Sequence, residues 1–246
     1  AENIIVTCGA AGGINAFFRA VLCRGDEVIC PAPYFVEYGF YTGNFGGTLK
    51  PVRSKKDFSL DIESIADAIN CNTRAIILKS PNNPTGNYNN LSEMEKIIAN
   101  VECPVIMDEA YMEFADGKEL PPNDMRPLNK LWLVAGSTLS LVGKYSNLMV
   151  FRTFSKAYGL AGLRCGYAVG AAGVMRLLGK ALLPYHVNAY TLMVAKTLYE
   201  NKNLYKEQIK LVRSERDKMA AYLAKLGFRV WDTATNSVTF RAEGEL

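Results

Sequence analysis

The chain has 246 residues, 49% of them hydrophobic and 21% charged, with a formal net charge of +4. That balance excludes a disordered tail, a collagen-like repeat and a disulfide miniprotein, and it supplies enough chain for a sizeable core. No apolar run reaches the roughly 18 residues of a membrane-spanning helix. Lys and Arg occur singly or in mixed clusters such as Arg213-Ser-Glu-Arg216-Asp-Lys218. This is a solvated helix face rather than a stripe that tracks phosphates, so no nucleic-acid partner is expected. The chain opens directly on the strand-like Ile4-Ile5-Val6-Thr7, without an initiator methionine or a secretory leader. It is expected to be a piece of a longer protein, cut inside secondary structure at both ends.

In chain order, β-branched runs predict strands at 4–8, 27–30, 48–52, 75–79, 105–108, 149–154 and 166–169. Amphipathic helices separate them. Ile14, Phe17, Phe18, Val21 and Leu22 fall on one helical face, Leu60-Asp61 opens a second helix ending near Asn70, and Ser92 caps a third with Glu95 three residues on. Apolar strands alternating with such helices predict an α/β fold, a mixed and mainly parallel sheet covered on both faces. Its ligands are then sought at the carboxyl ends of the strands. From Asn201 the pattern changes to a long helix reaching Leu226, stopped by Gly227, with strands at 228–231 and 237–241. Residues 1–200 are thus expected to form a large domain and 201–246 the start of a smaller α+β one.

Six cysteines contain no Cys-x-x-Cys pair and read as buried free thiols of a reducing, cytoplasmic compartment. The single histidine, His186, has no Gly-x-Ser-x-Gly elbow or second metal ligand beside it, so it is read as a structural or interface residue. No metal site is expected.

Four strand ends carry chemistry. After the first, Cys8-Gly9-Ala10-Ala11-Gly12-Gly13 allows a tight turn whose free N–H groups can hold an anion. It suits a dinucleotide or a lone phosphate, but no tyrosine has the lysine four residues later that a short-chain dehydrogenase needs. Ser80-Pro81-Asn82-Asn83-Pro84-Thr85-Gly86 holds the amide of Asn83 between two prolines. Asp108 ends an apolar strand, where an acid needs a cation or a donor, and Tyr111 lies three residues on. Lys156 follows Thr153 and Ser155 after another apolar strand, with Arg164 eight positions later. Set among apolar and small residues, it is a candidate nucleophile for a carbonyl.

These four motifs, in this order, resemble the class I/II aminotransferases of fold type I, which use pyridoxal 5′-phosphate. Thr-x-Ser-Lys…Leu-x-Gly-Leu-Arg-x-Gly and Asp-Glu-Ala-Tyr resemble the histidinol-phosphate branch, while 6–52, with Gly25-Asp26-Glu27-Val28, resembles the aspartate branch equally. The resemblance implies that Lys156 carries the cofactor aldehyde and then moves the substrate proton, and that Asp108 pairs with the pyridine nitrogen. It places Asn83 and Tyr111 on the ring hydroxyl, and Tyr34, or with less support Phe35, on the ring face. The phosphate would take Ala10, Ala11, Thr153, Ser155 and Arg164. It further implies amino-acid and 2-oxo-acid substrates, a homodimer, and a carboxylate-gripping arginine beyond Leu246, so that these residues alone turn over amino acids poorly. Decarboxylases and carbon–sulfur lyases share the same cofactor residues, and so do aminotransferase-like domains of regulators. Asp108 and Lys156 stand 48 positions apart, more than the histidinol-phosphate branch uses, so 117–145 is expected to hold extra structure.

Overall fold

The computed structural model describes residues 2–115, 136–201 and 203–242. Its elements, in chain order, are β1 (Ile4–Thr7), α1 (Gly9–Val21), β2 (Glu27–Ala32), α2 (Glu37–Asn44), β3 (Thr48–Arg53), α3 (Ile62–Ala68), β4 (Thr73–Lys79), α4 (Leu91–Ala99) and β5 (Val105–Asp108). There follow β6 (Leu148–Thr153), β7 (Gly166–Gly170), α5 (Ala172–Ala181), α6 (Ala189–Glu200), α7 (Asn203–Lys225), β8 (Arg229–Trp231) and β9 (Thr239–Arg241).

The first seven strands form one sheet in the order β1-β7-β6-β5-β4-β2-β3. Only β7 runs against its neighbours, so the sheet is mixed and mainly parallel, as the strand–helix alternation implies. Side chains alternate between its faces. On β4, Ala75 and Ile77 pack with α1, α2 and α5, while Ile76 and Leu78 pack with α3 and α4. Helix α1 contributes Ile14, Phe17 and Phe18 to the first layer, and α4 contributes Met94, Ile97 and Ile98 to the second. Each such fully buried side chain stabilises the fold by about 1.5–3 kcal/mol. This topology brings the carboxyl ends of β1, β2, β4, β5 and β6 to one edge of the sheet.

Helix starts follow local chemistry. The Asp61 carboxylate accepts from Ser64 N at 3.1 Å and opens α3 where the sequence placed it. For α4 the cap is Asn90 rather than Ser92: Asn90 is extended, and its side chain accepts from Ser92 N at 3.0 Å, so Ser92 already lies inside the first turn. Helices α2, α5 and α6 were not marked by the sequence. Beyond α7, Gly227 adopts φ +88° and β8 pairs antiparallel with β9 apart from the main sheet. Arg216 on α7 donates to Thr235 O at 2.9 Å, and Ala234 N donates to Gly86 O at 2.8 Å, tying this ribbon to the loop after β4.

All six thiols are free, but only Cys30 and Cys165 are buried; Cys23 and Cys71 are exposed because they sit in the turns before β2 and β4. Of the 117–145 stretch, 117–135, with Pro121-Pro122 and Leu131-Trp132-Leu133, lies outside the described residues. The remainder includes a 3-10 turn, Thr138–Leu141, which packs Leu139 and Leu141 beside α4.

Gly166, the first residue of β7, lies where β7, β6 and the start of α1 meet. A Cβ there would lie 2.5 Å from Gly9 C, 2.6 Å from Arg152 O and 2.7 Å from Ala10 N, all backbone atoms. Gly166→Ala should therefore lower the unfolding free energy by about 1–3 kcal/mol, measured in urea. An unchanged midpoint would contradict this packing.

Candidate active site

The carboxyl edge of the sheet opens on a cavity of about 290 Å³. It is walled by the start of α1, by α2, by the ends of β4, β5 and β6, and by the loop joining β6 to β7. Nine of the ten residues singled out above line it: Ala10, Ala11, Asn83, Asp108, Tyr111, Thr153, Ser155, Lys156 and Arg164. Tyr34 does not. It packs half-buried against the core, and its neighbour Phe35 faces the cavity instead.

One end of the cavity is built for an anion. Helix α1 begins at Gly9 with no side-chain cap, so its first-turn N–H groups retain their donor capacity. Thr153 and Ser155 add hydroxyls 2.9 Å apart, and Ser155 N donates to Thr153 Oγ1 at 3.1 Å. Arg164, in a left-handed conformation (φ 53°), brings its guanidinium to Ser155 Oγ at 3.4 Å and Ala161 O at 3.0 Å. Gly9 is required here. Its φ is +71°, and a Cβ on it would stand 2.8 Å from Arg164 Nη2.

The other end holds a carboxylate. Asp108 Oδ2 accepts from Tyr38 OH at 2.6 Å and Oδ1 from Ala110 N at 2.9 Å. Burial raises the Asp108 pKa, and these two donors oppose the rise. Between the ends, Asn83 Nδ2 donates to Tyr111 OH at 3.3 Å, and Lys156 Nζ lies 5.3 Å from the centre of the Tyr111 ring. The Lys156 side chain is exposed at the mouth of the cavity, while its neighbours Phe154, Ala157 and Tyr158 are buried in a cluster with α6 and α7. The loop is thus anchored on both sides of a lysine that stays free to reach inward.

Sequence reasoning placed Phe35 behind Tyr34 for the ring face, and it missed Glu37, Tyr38, Tyr41 and Lys79, all of which line the cavity. The signal for Lys79 was present, since a lysine ending an apolar strand invites the same question as Asp108. Tyr38 belongs to a short helix that carried no such mark. His186 lies outside the cavity. Its ring nitrogens stand 2.9 Å from Leu183 O and 3.0 Å from Val6 O, so it ties the 183–186 turn to β1.

Directly behind the site lies a buried ion network. Arg152 is wholly buried and donates to Glu109 Oε2 from Nε at 3.0 Å and from Nη2 at 2.7 Å, with Glu113 Oε1 at 3.4 Å. Glu109 Oε1 also accepts from the amide and hydroxyl of Thr138, both at 2.7 Å. Burial works against the Arg152 charge, yet Glu109, Tyr167 and Glu113 hold its pKa above the ordinary arginine value. Burial raises the pKa of Glu113, opposed by Arg152. No group of three or more His, Cys, Asp or Glu side chains among the described residues is arranged to hold a metal ion.

The sequence profile of the family described as aminotransferase class I and II matches residues 1–243, and the chain belongs to that family. Among curated relatives, the histidinol-phosphate aminotransferase of Pyrococcus furiosus is 35% identical over 218 residues, covering 89% of this chain and 58% of that protein. That of Thermoanaerobacter pseudethanolicus is 30% identical over 238 residues, covering 96% and 62%. The chain therefore spans about three fifths of the length of these relatives. Solved structures share the fold. Histidinol-phosphate aminotransferase of Sinorhizobium meliloti, in complex with pyridoxal-5′-phosphate, superposes with a TM-score of 0.85 at 23% identity, covering 99% of this chain and 62% of that one. A mutant aspartate aminotransferase of Thermus thermophilus gives 0.80 at 22% identity, covering 95% and 63%.

The network predicts a large effect from a side chain that faces away from the cavity. Arg152→Met leaves Glu109 charged and buried without its cation, and should lower the unfolding free energy by about 3–5 kcal/mol in chemical denaturation. A loss below about 1 kcal/mol would show that the pair is not what holds these strand ends together.

Proposed function

We propose that this chain binds pyridoxal 5′-phosphate in the cavity at the carboxyl edge and forms the cofactor domain of an enzyme that transfers amino groups between amino acids and 2-oxo acids. The observation that carries the reading is the pairing, across one cavity, of an anion cradle with a half-buried carboxylate, with a lysine at the mouth between them. A phosphate at one end of an aromatic ring and a basic nitrogen at the other match that donor set. The Cβ-intolerant approach of Gly9 to Arg164 leaves room for backbone and guanidinium to meet the same anion.

The residues divide the work by their chemistry. Ala10 and Ala11 N–H, the hydroxyls of Thr153 and Ser155, and Arg164 would hold the phosphate, where the planar fork of arginine suits phosphate oxygens. Asp108, oriented by Tyr38 and Ala110, would keep the ring nitrogen protonated. Asn83 and Tyr111 would hydrogen-bond the ring hydroxyl, and Phe35, which lines the cavity where Tyr34 does not, would take the ring face. When bound, pyridoxal phosphate supplies an aldehyde for amino groups and a ring that draws electrons from the substrate α-carbon. Lys156 would hold that aldehyde between turnovers and carry the proton to and from the substrate α-carbon.

The similarity to histidinol-phosphate aminotransferases supports a histidinol-phosphate-type or aspartate-type amino donor. Residues 201–246 would begin a second domain, with α7 as its first helix. The whole protein would work as a cytoplasmic homodimer. No helix among the described residues is long and apolar enough to cross a membrane.

Passed through gel filtration after mixing with pyridoxal phosphate, the chain should retain the cofactor. With histidinol phosphate or aspartate added, it should form pyridoxamine phosphate slowly, in proportion to the donor. Release of carbon dioxide from aspartate without pyridoxamine phosphate would contradict amino transfer, and failure to retain the cofactor would contradict the site itself.

A further inference from the structure

Lys79 is a charged group in the cavity to which the reading above gives no task. It ends β4 after Ala75-Ile76-Ile77-Leu78 and is only 4% exposed. Across the parallel pair of β4 and β5 it stands in register with Asp108, so both side chains leave the same face of the sheet, and both line the cavity. Its ammonium donates to Pro31 O and approaches Cys30 Sγ at 3.5 Å, both on β2. These partners fix the nitrogen beneath the cavity floor. They are, however, neutral, and an ammonium taken out of water costs several kcal/mol unless an opposite charge answers it.

Asp108 is half-buried and presents a milder form of the same problem. Its hydrogen bonds come from Tyr38 OH and Ala110 N, which are neutral donors. We propose that Lys79 is a positioning residue whose ammonium, in register with Asp108 on the neighbouring strand and facing the same cavity, is the counter-charge that keeps that carboxylate ionised before any ring nitrogen reaches it. The consequence for cofactor binding rests on the function proposed above; the charge pairing itself does not.

The surroundings leave this pairing little competition. Cys30 faces Lys79 from β2, and Tyr38 and Tyr41 face Asp108 from α2, where Tyr41 donates to Glu37. Glu109 follows Asp108 in the chain but is engaged by Arg152. Lys156 and Arg164 reach the cavity from the loop after β6, with Arg164 bonded to Ser155 and Ala161. Burial lowers the pKa of Lys79, with Cys30 and Asp108 opposing; burial raises that of Asp108, with Tyr38, Ala110 and Lys79 opposing. The two groups do not touch as an ion pair within 4.0 Å, so each acts on the other across the cavity they share.

The test is a carboxyl titration in the absence of cofactor, by NMR of the chain labelled at aspartate carboxyl carbons. The Asp108 signal is assigned by its loss in Asp108→Asn. In folded Lys79→Met the Asp108 midpoint should rise by about one pH unit or more, a roughly tenfold or larger weakening of the acid. An unchanged midpoint would overturn the proposal. Should Lys79→Met not fold, the wild-type chain decides through the Lys79 side-chain signal: protonated at pH 7 supports the pairing, neutral at pH 7 overturns it. A wild-type chain that shows the pairing yet retains no pyridoxal phosphate would overturn the proposed function alone.

Discussion

A guanidinium with no exposed surface sits near the end of β6, and the site in front of it depends on how that charge is answered. Arg152 is met by Glu109, the residue directly after β5, with Ser137 and Thr138 completing the ring of donors around the carboxylate. Because strand side chains alternate, turning Arg152 and Glu109 to one face turns Thr153 and Asp108 to the other, onto the cavity. A single buried pair thereby sets the register of two adjacent strand ends and aims one donor and one acid at the same space. The pair is weak evidence for net stability, since burial opposes both charges. Its value lies in the arrangement it enforces.

The same edge explains why the cavity has two unlike ends. At β1 the chain turns straight into α1, leaving uncapped amides beside Arg164. At β4 and β5 the strands end in register at Lys79 and Asp108, and the Asp108 carboxylate is held by Tyr38 and Ala110. One end offers donors to an anion and the other a carboxylate to a hydrogen-bond donor, so the proposed elongated ligand with both characters would take a single orientation. The exposed lysine between them rides on a loop whose aromatic residues, Phe154 and Tyr158, are buried with rings 5.0 Å apart. Precision in this part of the site comes from packing beside Lys156 rather than around it.

Much of this was legible in the sequence. All seven main strands lie within two residues of their expected ends, because continuous apolar runs bounded by turns leave few alternatives. Asp108 and Lys156 stood out because a charge at the end of such a run needs a reason. Helices α2, α5 and α6 did not. The first two are short and interrupted by glycines (Gly39, Gly43, Gly173, Gly179), and α6 carries exposed apolar residues that blur its periodicity. Tyr34 and Phe35 differ by one position, and which of them faces the cavity depends on the turn into α2, which local pattern does not encode. Tyr38 escaped notice because its partner lies 70 residues away. Lys79 carried the same signal as Asp108 and was passed over as part of a strand.

The central claim is that this cavity delivers an aldehyde-bearing, phosphate-bearing ring to Lys156. Borohydride reduction of the chain with pyridoxal phosphate, followed by peptide mass mapping, tests it most directly. The account predicts one stable adduct, on Lys156, lost in Lys156→Ala without transfer to Lys79. An adduct spread over surface lysines, or one that persists undiminished in Lys156→Ala, would contradict it.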